Sequence, residues 1–227
     1  MNPFYNSPKL LHLLDKNGNS NSNDPRFIEC KLQAEEITKR LLGCTIGIND
    51  RAFILTSLEL YYGSLGDTAH DWYRGQFKIK KKDSKIKKDS LVQRQDGLRI
   101  YLSKFGSPNY CRFDLAFGPE GVAVSALVRN VFDIKKRVFL GAEPYGQPAV
   151  VMIEMDLKKE YHSRKLEEIG DLTFQDTYSK YIKEDAKNIS TSKRIVDGNA
   201  VGLGDAPFKD YLWNFTLRNC KEISARS

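Results

Sequence analysis

Residues 53–74 read FILTSLELYYGSLGDTAHDWYR, and the rest of the chain is organised around how this stretch folds. From Ala52 to Tyr62 the apolar side chains alternate. Ala52, Ile54, Leu58, Leu60 and Tyr62 occupy even positions, with Thr56 the exception. A period of two predicts a β-strand, so Ser57, Glu59 and Tyr61 share its opposite face. Gly63, Gly66 and Asp67 then break the strand into a loop that delivers His70 and Trp72. A carboxylate between leucines, two residues from a tyrosine on its own face, has two readings. It is an exposed glutamate on a strand edge, or a positioned catalytic group.

Composition narrows the choice of partner. At 227 residues, 41% hydrophobic and 11% aromatic, the chain can bury a full core and is globular rather than disordered. A net charge of +7 favours a polyanionic ligand, the electrostatic footprint of nucleic-acid binding. Cys30, Cys44, Cys111 and Cys220 form no CxxC pair, and only His12, His70 and His162 could join them, so neither a metal centre nor a disulfide framework is indicated. No apolar run approaches the ~20 residues that cross a bilayer. The N-terminus lacks the charged-then-apolar pattern of a signal peptide. The expectation is an intracellular, reduced monomer with no membrane contact, no metal and no cofactor.

Glu59-Leu60-Tyr61-Tyr62-Gly63, followed by Asp67-Thr68-Ala69-His70, resembles the E-[AL]-Y-x-G…D-x-A-[SH] signature of the alkyladenine (3-methyladenine) DNA glycosylase family, without a gap from Glu59 to His70. The resemblance implies a fold and an activity. The fold is α+β, a single domain on a mixed, largely antiparallel curved sheet with flanking helices, similar to the C-terminal domain of formyltransferases. The activity is DNA repair: an alkylated or deaminated purine is flipped out of double-stranded DNA and its N-glycosidic bond is hydrolysed, leaving an abasic site. Glu59 would activate the water, and Tyr61 and His70 would line the pocket for the flipped base.

Further segments carry the resemblance in the same order. Residues 1–23 form a variable segment ending in an Asn/Ser-rich linker, and the domain spans 24–227. Asp24 and Pro25 start a helix whose apolar face holds Ala34, Ile37 and Leu41 and which stops at Gly43. Ile37 to Gly43 is similar to the family's A-x-x-L-L-G helix. In 97–117, Leu98, Ile100 and Leu102 alternate with Arg99, Tyr101 and Ser103. The resemblance gives Tyr101 to stacking on the flipped base, although a tyrosine here could also pack the core. Phe105, between Lys104 and Gly106, would be the wedge that fills the emptied stack, with Tyr110 its competitor. Where the family has C-x-N-I, this chain reads Cys111-Arg112-Phe113-Asp114-Leu115. Asp114, or Phe113 in another register, replaces the asparagine that helps exclude guanine.

Val122, Val124, Ala126 and Val128 alternate with Leu127 and Arg129 in the next strand. Ala126-Leu127-Val128-Arg129 with Asp133 resembles the family's L-L-R-A-[LV]-E-P segment, which assigns Arg129 to the water and the lesion's phosphate. An arginine ending a valine-rich strand could also snorkel at an edge. Residues 78–88 hold seven lysines against one aspartate. They are a solvated loop or, through Lys78, Lys80, Lys81 and Lys82, a set of phosphate contacts. The family carries a different segment there. Ala149–Leu157 reads as a strand and 158–190 as charged and partly helical. Lys193-Arg194-Ile195 and Tyr211 to Phe215 are similar to the family's closing segment. Two functions compete with catalysis: a non-catalytic nucleic-acid-binding module on the same fold, and a structural or protein-interaction domain.

Overall fold

The structure is a computed structural model, and it describes residues 10–67, 69–70, 97–103, 112–141, 148–178, 182, 188–194 and 208–217. Helix α1 (Pro25–Leu41) begins where the sequence predicts. The Asp24 side chain accepts from the Arg26 amide at 2.8 Å, and proline occupies the first turn. It stops before Gly43, whose φ of +76° is a left-handed conformation that glycine tolerates. Phe27, Cys30, Ala34, Ile37 and Leu41 form its buried stripe.

The strands are β1 (Thr45–Ile48), β2 (Arg51–Tyr62), β3 (Arg99–Ser103), β4 (Arg112–Ala116), β5 (Val124–Asp133), β6 (Val138–Leu140), β7 (Leu172–Gln175), β8 (Ile189–Ser192) and β9 (Asn214–Leu217). They form one curled antiparallel sheet, a half-barrel, in the order β3-β4-β5-β2-β1-β7. The two long strands are its spine. β2 pairs with β5 along most of its length, and its other edge takes β1 at residues 51–54 and β9 at residues 57–59. β5 is bordered likewise by β4 and then β6. A bulge at Leu55, Ser57 and Leu58 of β2, opposite Val131, Asn130 and Val128, interrupts the ladder midway. Bulges bend and twist a strand, which helps curl the sheet. Thr56, the exception in the alternation, lies in this bulge and donates to Asn130 Oδ1 at 3.2 Å.

Alternation settles the two faces. Ile100, Leu115, Ala126 and Leu60 lie on one face, joined by Leu102, Phe113, Val128, Leu58 and Phe215, all buried in one core with the stripe of α1. Packing reaches back to Leu10, which is fully buried, and the Tyr62 hydroxyl donates to the Leu11 carbonyl at 3.0 Å.

One local expectation fails. Ala149–Leu157 is not a strand: Pro148–Glu154 is a helix, α2, packed against β4 and β5. Val151, Met152 and Met155 are buried while Ile153 is 57% exposed, a three-to-four-residue spacing that the run of β-branched residues masks. The charged stretch 158–190 is helical in part, as expected: among its described residues are the 3-10 turns Lys159–Tyr161 and Leu166–Glu168, together with β7 and the start of β8. Residues 162–166 cap the outer edge of β3: Ile100 donates to Arg164 and Ser163 donates back to Ile100. Among the described residues, no helix is long and apolar enough to cross a membrane, and no group of three or more His, Cys, Asp or Glu could hold a metal ion.

Candidate active site

The second face of the sheet is polar, and register decides what it holds. Glu59 lies directly opposite Asn214 on one side and Leu127 on the other. Leu127 lies opposite Asp114, and Asp114 opposite Tyr101. Directly opposed residues in an antiparallel sheet project to the same face. Asn214, Glu59, Leu127, Asp114 and Tyr101 therefore form one row across five strands. At about 4.8 Å per strand, Asp114 stands about 10 Å from Glu59 and Tyr101 about 14 Å. Tyr61 and Arg129 share the face, each two residues along its strand from this row.

Glu59 is completely buried, so it is no exposed edge glutamate. Its Oε2 accepts a 2.9 Å hydrogen bond from the Tyr61 hydroxyl and lies 3.6 Å from Arg129 Nη1. Arg129 does not snorkel at an edge either. It is 7% exposed in mid-strand and supplies the countercharge that a buried carboxylate needs. Burial first, and then the neighbouring Glu59 charge, push the Tyr61 phenol well above the usual tyrosine range, so it stays a donor.

Asp67 closes the loop that follows β2. Its Oδ2 accepts from the Tyr62 amide and its Oδ1 from the Ala69 amide, both at 3.1 Å. The His70 amide then donates to the Asp67 carbonyl at 3.1 Å, and His70 is buried. Asp67 is in turn gripped by Arg194, Nη1 to Oδ2 at 2.6 Å and Nη2 to Oδ1 at 3.1 Å. The Arg194 guanidinium lies 4.6 Å from the Tyr61 ring centre. Glu59, Tyr61, Arg194, Asp67 and the His70 backbone are one connected network, with Arg129 on its far side. Two carboxylates and two guanidiniums make it neutral overall.

The chain matches no model of a known family and no curated protein.

The remaining expected residues divide cleanly. Asp114, 8% exposed, faces the Glu59 side, whereas Phe113 is fully buried opposite Leu102 in the core. The register thus places Asp114, and not Phe113, on the Glu59 face. Tyr101 lies on the polar face, half-buried, with its ring 4.8 Å from that of His162. His162 Nδ1 accepts from the Leu102 amide at 3.0 Å, which assigns the neutral ring with its proton on Nε2. Trp72, Lys78, Lys80, Lys81, Lys82, Lys104, Phe105 and Tyr110 lie outside the described residues. Three contributors escaped the sequence. Asp67 read as a strand terminator within the Glu59-to-His70 signature, and Asn214 and Arg194 as parts of the closing segment, none of them with a role in the site. Nothing local marks Arg194, because its partner is 127 residues away.

Proposed function

We propose that the protein is a monofunctional DNA glycosylase of the alkyladenine type, acting on damaged purines in double-stranded DNA, and that its curled sheet is a version of that family's fold. One observation carries the reading: a buried carboxylate, Glu59, shares a sheet face with two tyrosines, an aspartate and an arginine drawn from four strands. In this role Glu59 takes a proton from water as the water oxygen bonds to C1′ of the sugar. The bond from C1′ to the base nitrogen breaks, and its electron pair leaves on the purine. Alkylation has made that purine cationic, so it departs neutral and needs no further acid. Arg129 offsets the negative charge beside the phosphate-rich ligand, Tyr61 orients the carboxylate, and Tyr101 offers a flat surface for stacking. No lysine nucleophile is required.

The second reading, a nucleic-acid-binding module without chemistry, is favoured by one feature. Tyr61 and Arg129 already partner Glu59, and so satisfied a glutamate serves as a structural group as well. Incubating the protein with a duplex bearing one 3-methyladenine or 7-methylguanine, then cleaving abasic sites with alkali, separates the two. Glu59→Gln should abolish release by a wild type that is active, while duplex binding is retained or tightened, because a negative charge leaves a DNA-facing pocket. Release by the variant at the wild-type rate refutes the catalytic role.

A further inference from the structure

Arg194 takes no part in the proposed reaction, yet it touches the Glu59 network at both Asp67 and Tyr61. Besides both oxygens of Asp67, it donates from Nη1 to the Leu60 carbonyl at 3.3 Å. Its guanidinium lies over two aromatic rings, 4.6 Å from the centre of Tyr61 and 5.4 Å from that of Trp213. The side chains of the pair are 2% and 1% exposed, so solvent screens neither charge. Trp213 is itself tied down, donating from Nε1 to Glu35 of α1 at 2.8 Å.

A buried ion pair is a poor way to stabilise a fold, since desolvation of both charges offsets most of their attraction, and packed apolar side chains do as well. The location of this pair suggests another use. Asp67 holds the start of the 67–70 loop against the end of β2, and Arg194 holds Asp67. The same guanidinium lies against the ring whose hydroxyl sets the Glu59 carboxylate. One planar cation therefore fixes the side chain that orients the base and the loop that carries His70.

We infer that Arg194 is a positioning residue, clamping Tyr61 against the Glu59 carboxylate and holding the 67–70 loop through Asp67. The inference rests on the glycosylase reading. A planar fork is needed for it, because a lysine ammonium can pair with Asp67 as a point charge but cannot grip both oxygens and cover the tyrosine ring together.

Arg194→Lys keeps the charge and provides the test. Melting temperature, affinity for a duplex with a stable abasic analogue, and single-turnover release of 3-methyladenine are measured for wild type, Arg194→Lys, Tyr61→Phe and the double variant. The expected result is a folded Arg194→Lys protein with unchanged affinity and release about 10- to 100-fold slower, the scale of a modest misplacement of a catalytic group. Adding Tyr61→Phe should slow it little further, because both changes act through one side chain. Wild-type release by Arg194→Lys, or two effects that multiply as independent, overturns the positioning role. So does a variant that loses thermal stability while its folded fraction works at full rate, the mark of a scaffold. Absence of release by the wild type overturns the glycosylase reading and this role with it, and so differs from failure of the role alone. Should Arg194→Lys not fold, Asp67→Asn replaces it: it weakens the grip on Asp67 while keeping the stack on Tyr61, so a folded variant with release about 10-fold slower supports the role, and release at the wild-type rate overturns it.

Discussion

Replacing Arg129 with methionine asks whether the polar face is energetically coupled. Its Nη1 lies 3.6 Å from Glu59 Oε2, with the side chains 9% and 0% exposed. At an effective dielectric near 20, two unit charges at that distance attract by about 4–5 kcal/mol. Removing one member of a buried pair typically costs about 3–5 kcal/mol, because the other is left without its countercharge. Here the Tyr61 hydroxyl remains as a charge-assisted donor. We therefore expect Arg129→Met to lose about 3 kcal/mol, at the lower end of that range. Glu59→Gln should lose about 1–3 kcal/mol, since the amide oxygen still accepts from Tyr61 but Arg129 loses its anion. The double variant removes both charges and should fall short of the sum by about 1–3 kcal/mol. Urea unfolding of the four proteins at constant pH measures this, provided the slope m stays constant across them. Additivity within about 0.5 kcal/mol would mean that the two charges do not interact in the folded protein, and would remove Arg129 from the site.

Alkaline pH should act through Tyr61, whose phenol is held up first by burial and then by Glu59. An unfolded tyrosine ionises near pH 10. The folded group binds its proton to higher pH, so its stabilising share is complete below about 10 and is lost as pH rises through the folded value. Tyr61→Phe should therefore show a smaller drop in urea midpoint between pH 9 and 11 than wild type. An equal drop would show that Tyr61 is not shielded. At Gly141, with φ of +90°, an added Cβ would press on the Arg129 carbonyl oxygen and come 2.9 Å from Val151 Cγ2. Gly141→Ala should cost at least about 1–2 kcal/mol of left-handed strain and also slow base release by displacing Arg129. Thermal unfolding and release rates equal to those of wild type would refute it.

What the sequence alone determined is whatever depends on near neighbours. Asp24, Pro25 and Gly43 mark the limits of α1 because caps and left-handed turns are decided within a few residues. The alternation around Glu59 placed Glu59 and Tyr61 together, opposite Leu58 and Leu60, because a strand's side chains alternate whatever it pairs with. The same local logic failed at Pro148–Glu154, where β-branched residues suit either a strand or a short buried helix and only the packing of Val151, Met152 and Met155 chooses. Pairing register belongs to the tertiary structure. It set Asp114 rather than Phe113 on the Glu59 face, and aligned Tyr101, Asp114, Leu127, Glu59 and Asn214 in one row. A slip of one residue would have reversed every one of those faces. Only the fold could bring Arg194 onto Asp67 and Tyr61, since a salt bridge between residues 127 apart leaves no periodicity in the chain. Its physical basis is the closure of a long loop around two charges that must meet once water is excluded.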